Sequence, residues 1–355
     1  MSLNNFKDLE AFNLSKKDKE LFFKNRINQL TLFHSKNSKN YKDFLKKFNF
    51  NFNKNNSLSQ IPFLPARIFK EIDLMSIPKK KIFKKIMSSG TTGSSFSKIY
   101  LDKLNAQNQV VVLNKIIKTI LGNSRLPMLI VDKNPKHSSR LEFNASAAAI
   151  YGFSIFGKDH SYLLNKNGEL DFTVFENFIS KYGKEKFFIF GFTSLIYEFL
   201  IKKNFSKLQD FNLSNSILLH GGGWKKMEKS RIDNLKFKML LKEKFKLKKV
   251  FNYYGLVEQT GSIFLECEKC SCFITSVFSD VIIRDLHFKE QVKGKKGFIQ
   301  LFSIIPTSYP GHNILTEDLG EIVDNSKCIC ANRGKAFLVH GRMPKSEIRG
   351  CSDTI

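Results

Sequence analysis

No stretch of this 355-residue chain approaches the roughly 18 uncharged apolar residues that a bilayer-crossing helix needs; runs such as FFIFGF at Phe187–Phe192 are short and follow lysines. A spanning helix is therefore not expected. The beginning, MSLNNFKDLEAFNLSKKDKE, has an acid by position 8 and no apolar run, which fits neither a secretory signal nor a transit peptide and implies a cytoplasmic protein. Cysteine is scarce and clustered, at Cys267, Cys270, Cys272, Cys328, Cys330 and Cys351. That pattern suits metal or thiol chemistry in a reducing compartment better than a disulfide framework. Acid is also in short supply: 32 Asp and Glu against 58 Lys and Arg give a formal charge of +26. Such a balance raises nucleic acid, anionic membrane or acidic partners as possibilities. The lysines are spread along the whole chain with abundant Asn, Ile and Phe, so they read as solvated surface and no nucleic-acid partner is expected. Internal repeats are absent.

What is present is a large apolar content, 42%, in a chain too long for one comfortable compact domain. Residues 1–80 read as a helical N-terminal extension, with LFFKNRINQLTLF at helical spacing, followed by an Asn-rich lead-in loop that carries Pro62 and Pro65. Over 81–262 short apolar strands alternate with helical stretches. The strand candidates are PMLIVD (127–132), KFFIFGF (186–192), SILLHGGG (216–223) and KVFNYYG (249–255), and the helix candidates include FNASAAAIYGFSIF and TSLIYEFLIKK. Alternation of this kind predicts an α/β core with helix-covered, mainly parallel sheet. Over 263–341 runs such as VIIRD, KGFIQLFSI, GEIVD and KAFLVHGR indicate a smaller β-rich subdomain, leaving 342–355 as a C-terminal tail.

Four motifs carry chemistry. The first is MSSGTTGSSFSKIY, dense in hydroxyls and glycine and closed by Lys98. It lacks the Gly-Lys-Ser/Thr end of a Walker loop and the three-glycine dinucleotide spacing. Its content nevertheless suits phosphate, through close backbone approach, an N–H nest and hydroxyl donors; a solvated turn is the alternative for a Ser-rich loop. The second, LLHGGGWKK, sets Gly221, Gly222 and Gly223 at the end of a predicted strand, where a flat ligand can lie against bare backbone at the carboxyl edge of a parallel sheet. The third, NYYGLVEQTG, offers an aromatic face, Tyr254, and a carboxylate, Glu258, suited to magnesium. The fourth pairs Asp318 in ILTEDLG with Arg342 in VHGRMPKSEIRG, groups able to hold ribose hydroxyls and a phosphate.

In this order the motifs resemble the adenylate-forming superfamily. The segments FKEIDL, SSGTTGSSFSKIYLD, HGGGWKK, YYGLVEQTGSIFLEC, DVIIRD, LTEDLG and HGRMPKSEIRGCS are similar to the acyl-protein synthetase family, ligases that join long-chain fatty acids to protein as thioesters. The resemblance implies the large N-terminal domain of an adenylate-forming enzyme, with ATP and Mg²⁺ as cofactors. It implies that Ser88, Ser89, Gly90, Thr91, Thr92, Gly93 and Lys98 enclose the β/γ-phosphates. By the same resemblance Gly221, Gly222, Gly223, Tyr254 and Gly255 flank adenine, Glu258 holds Mg²⁺, and Asp318 with Arg342 fixes the ribose. The sequence departs from the wider superfamily at Val257, where threonine often touches the α-phosphate. It also stops at Ile355, without the mobile lid domain that most relatives carry.

In the short branch the acyl group passes to a cysteine near the C-terminus, which the resemblance places at Cys351. Coenzyme A or an acyl carrier protein is the alternative thiol, and an acyl-CoA-reductase-like protein the implied partner. The other cysteines suit a structural Zn²⁺ site or buried free thiols; relatives imply Cys267, Cys272, Cys328 and Cys330 as ligands, with Cys270 as the alternative. A reading of another class, an inactive zinc-bearing binding or scaffold protein, conflicts with the retained SSGTTG loop, Glu258, Asp318 and Arg342.

Overall fold

The computed structural model describes residues 6, 8–52, 56–87, 96–135, 145–203, 208, 211–330 and 334–343. Along the chain, helices α1 (Lys16–Asn37) and α2 (Lys39–Lys47) precede strand β1 (Leu64–Pro65), one turn of helix α3 (Ile68–Glu71), and the hairpin β2 (Lys84–Met87) and β3 (Lys98–Leu101). Helix α4 (Lys103–Leu121) leads into β4 (Leu126–Lys133), α5 (Ala145–Ser154), β5 (Gly157–Leu164), α6 (Phe172–Tyr182) and β6 (Phe187–Phe192). Then come α7 (Thr193–Ile196), β7 (Ser216–Gly221), α8 (Asn234–Phe245) and β8 (Lys249–Tyr254). Short β9 (Phe264–Glu266) and β10 (Phe273–Ile274) precede β11 (Ser279–Arg284), β12 (Gly297–Ser303), β13 (Asn313–Val323) and β14 (Ala336–Arg342). Contacts divide the chain into two units. One holds Asn114–Tyr254 with Leu265–Ser271; the other holds Met1–Leu113, Gly255–Phe264 and Cys272–Ile355.

In the first of these units β4 to β8 form a parallel sheet in the order β8-β7-β6-β4-β5. The apolar runs behave as a parallel sheet demands. Every residue of β6 and β7 is buried, because crossover helices cover both faces and leave no side to alternate toward water. The four strands expected from apolar runs are present as β4, β6, β7 and β8. Strand β5, GKDHSYLL, was not among them: it pairs with β4 at the sheet edge and exposes Lys158, Asp159 and His160, so its sequence is polar. The helices are fixed by their ends. The Asp171 carboxylate accepts from Val174 N at 3.1 Å ahead of α6, and Asp233 accepts from Lys236 N at 2.8 Å ahead of α8, each satisfying an orphan N–H of the first turn. The TSLIYEFLIKK stretch is helical, but only Thr193–Ile196 is α; residues Tyr197–Lys203 widen into a π-helix.

In the other unit the β-rich part is antiparallel, in the order β11-β12-β13-β14-β10, and β1 adds in parallel to β13 with Leu64 opposite Ile314. Helix α1 is bound into this unit: Phe23, Ile27 and Leu30 are fully buried. Its polar side chains are also committed, Lys19 Nζ donating to Thr275 Oγ1 at 2.7 Å and Thr31 Oγ1 meeting His312 Nε2 at 2.9 Å. His34 stacks on His312 with ring centroids 5.0 Å apart. Hairpin β2–β3 turns Ile86, Ile99 and Leu101 inward. Among the described residues no helix is long and apolar enough to cross a membrane.

Candidate active site

Glu258 lies in a 3-10 turn, Val257–Gln259, three residues past Gly255. The turn is pinned from several sides. Tyr309 Oη donates to the Glu258 carbonyl at 2.8 Å, and Gln259 Nε2 donates to Gly311 O at 2.9 Å and Leu301 O at 3.2 Å. A Cβ on Gly311 would stand 2.8 Å from that same Glu258 carbonyl and run into the Tyr309 ring, so only glycine allows the approach. The Glu258 carboxyl is buried, 7% exposed. Burial pushes its pKa up, while the Ser97 side chain and the charges of Lys70 and Arg342 pull the other way. A buried carboxylate with a hydroxyl beside it is a hard oxygen donor set, which fits Mg²⁺.

Asp318 on β13 and Arg342 on β14 stand directly opposite each other in the ladder, with Arg342 Nε 3.7 Å from Asp318 Oδ1. Arg342 is 81% exposed and Asp318 16%; an exposed pair of this length is worth about 0–1 kcal/mol and yields easily to a ligand. The chain then turns back as Met343 N donates to Glu317 O at 3.1 Å. Lys98 begins β3 opposite Met87, its Nζ 3.9 Å from Asp73 Oδ1. The expected phosphate residues Ser88, Ser89, Gly90, Thr91, Thr92 and Gly93 lie outside the described residues, as does Cys351.

In the parallel-sheet unit β7 delivers the glycine turn. A Cβ on Gly221 would collide with the Tyr253 ring, Gly222 has φ +76°, and nothing lies within 4 Å of where a Cβ on Gly223 would be. The turn thus needs glycine once for packing and once for backbone, and at Gly223 it presents bare, exposed chain. Tyr253 is half-buried, its ring 4.9 Å from Phe153 and 6.4 Å from Phe190. The next residue, Tyr254, is half-buried at the end of β8. His220 fixes the turn's start: its Nδ1 meets Thr193 Oγ1 at 2.9 Å, and that hydroxyl donates to Gly221 O at 3.2 Å. This chain makes Nδ1 the protonated nitrogen. Burial holds the imidazole neutral, its pKa pulled down to about 3.

The segments AAAIYGFSIFG and FGFTSLIYEFL, expected as acyl-pocket lining or as core, supply Phe153, Ile196 and Leu200 to the buried interior.

Four cysteine Sγ atoms, those of Cys267, Cys270, Cys328 and Cys330, lie within 4.8 Å of one another. Cys272, expected in that set, gives way to the alternative, Cys270. The reason is local: Ser271 takes a left-handed φ of 55° and donates its N–H to Cys267 O at 2.9 Å. That tight turn curls Cys270 back beside Cys267, while Cys272 leads into β10. Four thiols of this grouping, in two short loops, fit a tetrahedral zinc site.

Sequence reasoning missed Ser97, Tyr309, Gln259 and Gly311 as the supports of Glu258. The SYPGHN stretch carries a turn signal, but no spacing ties residue 309 to residue 258.

Comparison with known proteins bears on the family and the fold. The family model for "Acyl-protein synthetase, LuxE" matches residues 5–355. The long-chain-fatty-acid–luciferin-component ligase of Aliivibrio fischeri is 24% identical over 283 residues, 74% of this chain and 70% of that protein. Among solved structures, an open 2-hydroxyisobutyryl-CoA ligase aligns with a TM-score of 0.68 at 13% identity, covering 100% of this chain and 86% of that one. A long-chain-fatty-acid-CoA ligase from Archaeoglobus fulgidus aligns with a TM-score of 0.52 at 13% identity, covering 78% of this chain and 54% of that one. The fold is that of adenylate-forming ligases, and the chain belongs to the acyl-protein synthetase family.

Proposed function

We propose that the protein activates a fatty acid with ATP and passes the acyl group to a cysteine thiol, forming an acyl-protein thioester. The observation that carries this reading is the buried Glu258 carboxylate, on a turn pinned through its backbone, under the influence of Ser97 and the charge of Arg342, within a chain matched to its family over nearly its whole length. In the first step a carboxylate oxygen of the acid bonds to the α-phosphorus of ATP and the bond to pyrophosphate breaks. In the second, a thiolate bonds to the acyl carbon and AMP leaves, the thiol proton passing to solvent or to the departing phosphate.

Both steps depend on positioning and on neutralising phosphate charge. Asp318 and Arg342 hold the ribose and a phosphate oxygen, and Lys98 with Ser88, Ser89, Gly90, Thr91, Thr92 and Gly93 encloses the β/γ-phosphates. Gly221, Gly222, Gly223, Tyr254 and Gly255 contact adenine, the glycines letting the ring lie against backbone. Glu258 would hold Mg²⁺, which neutralises phosphate charge as pyrophosphate departs. Val257 cannot donate a hydrogen bond to the α-phosphate, so that contact falls to another group. The acceptor is Cys351, and an acyl-CoA-reductase-like protein consumes the thioester. A Zn²⁺ held by Cys267, Cys270, Cys328 and Cys330 would be structural, closed by four thiolates with no open position.

The test is a tagged long-chain fatty acid incubated with the protein, ATP and Mg²⁺. Hydroxylamine-sensitive label on the chain, lost in Cys351→Ser, is the expected result. Label that survives Cys351→Ser, or thioester appearing only with added coenzyme A or carrier protein, would replace Cys351 as acceptor.

A further inference from the structure

Between Leu74 and Leu101 the chain carries six lysines and no acid, and five of them, Lys79, Lys80, Lys81, Lys84 and Lys85, fall within seven residues. All five are exposed, and between them stands Phe83, 63% exposed. A segment of seven residues spans at most about 25 Å, so the five charges and the ring form one patch, each charge within roughly a Debye length of the next at physiological salt.

The backbone of this patch is fixed. Lys81 N donates to Pro78 O at 2.9 Å, Phe83 N donates to Leu101 O at 2.8 Å, and Lys84 and Lys85 pair with Leu101 and Tyr100 in the β2–β3 hairpin. Ile86, Ile99 and Leu101 anchor the hairpin in the core. A second exposed apolar side chain, Leu104 at 40%, lies three residues past Leu101. A single exposed phenylalanine means little by itself. A phenylalanine exposed just ahead of β2, flanked in sequence by five lysines and with no carboxylate in its own segment, has the composition of a peripheral membrane contact.

We propose that segment 79–85 docks the protein on anionic lipid bilayers, its lysines meeting headgroup phosphates and Phe83 entering the interface. Charge complementarity selects the anionic surface, and the exposed ring favours a bilayer over a nucleic acid or an acidic protein that charge alone would satisfy. Docking stands on the patch itself. Its use, bringing the enzyme to fatty acid dissolved in membrane, rests on the proposed function.

The test uses the full chain and sedimentation with large unilamellar vesicles, either of phosphatidylcholine alone or with about one third phosphatidylglycerol. Binding is expected only to the anionic vesicles and to weaken with salt. Each lysine near the surface contributes about a fivefold factor, so Lys80→Glu/Lys81→Glu/Lys84→Glu is expected to weaken binding by at least about 100-fold, and Phe83→Ser by about 10-fold. Lys293→Glu/Lys295→Glu/Lys296→Glu, which alters the same net charge at three other exposed lysines, is expected to retain most of the binding. Should the first triple variant misfold by circular dichroism, Lys80→Gln/Lys81→Gln/Lys84→Gln and Phe83→Ser carry the comparison. Equal loss in both charge-reversed variants would reduce the effect to net charge and overturn the proposal. So would binding of polyuridylate RNA that depends on the same lysines while Phe83→Ser leaves vesicle binding unchanged.

Discussion

Burial shifts the pKa of Glu258 and those of the buried histidines in opposite directions, and both shifts tell on acidification. Burial raises the Glu258 pKa, so its carboxylate takes up a proton at a higher pH than an exposed one does, and Mg²⁺-dependent activity is expected to fall on acidification. Glu258→Gln is expected to cut adenylation by at least about 100-fold while leaving the unfolding free energy within about 1 kcal/mol, because a neutral amide no longer buries charge. Wild-type activity in the variant, assayed at saturating Mg²⁺, would remove Glu258 from the site. The imidazoles of His34 and His220 are pulled down to about 3 by burial, and that of His312 is also held well below the usual value. Their unfolded forms bind protons below about pH 6.5 while the folded forms do not, so stability is full above 6.5 and is lost as pH falls from there toward 3. Each contributes a slope of about 1.4 kcal/mol per pH unit. Urea unfolding between pH 7.5 and 5 should show this slope, and His34→Gln should flatten it by about one third; an unchanged slope would mean that His34 charges in the folded state. At this scale the sequence pointed to Glu258, Asp318 and Arg342 as candidates because their motifs are local. Ser97 and Tyr309 stayed hidden because their contacts with Glu258 cross more than fifty residues of chain.

Strands β6 and β7 were legible for the same reason that they are stable: their apolar runs leave one geometry in which all side chains are covered. Edge position erased that signal in β5, and the boundary between Thr193–Ile196 and the π-turns after it has no mark in TSLIYEFLIKK. Phe188→Ala in the fully buried β6 is expected to cost about 3–5 kcal/mol, read as a shift in urea midpoint at unchanged slope. Gly221→Ala meets the Tyr253 ring; it should destabilise by about 1–3 kcal/mol and weaken ATP binding, whereas Gly223→Ala, with open space around it, should leave stability unchanged. The cysteine loops show the limit of spacing arguments. CEKCSC offers three thiols at nearly equal separations, and only the left-handed Ser271 decides that Cys270 rather than Cys272 turns toward the others. Zinc analysis of purified protein is expected to give one equivalent, reduced in Cys270→Ser and retained in Cys272→Ser.

Across the whole molecule, a parallel-sheet unit and a β-rich unit with its N-terminal helices each carry part of the proposed site: a glycine turn and tyrosine in one, a carboxylate turn and an Asp–Arg ladder pair in the other. The alternation of strand and helix made the first legible. The second depended on long-range packing, since α1 looks like a free amphipathic helix in sequence yet buries Phe23, Ile27 and Leu30 in its unit. The net charge of +26 did not by itself name a partner; the proposed docking rests on its concentration at 79–85 beside an exposed ring. The central claim is that this chain adenylates a carboxylic acid. Its most direct test is ATP–pyrophosphate exchange with Mg²⁺ across acids from acetate to palmitate, with aromatic and hydroxy acids alongside. Exchange with the long-chain fatty acids, abolished in Glu258→Gln, is the predicted result; absence of exchange with every acid, in folded and zinc-replete protein, would contradict it.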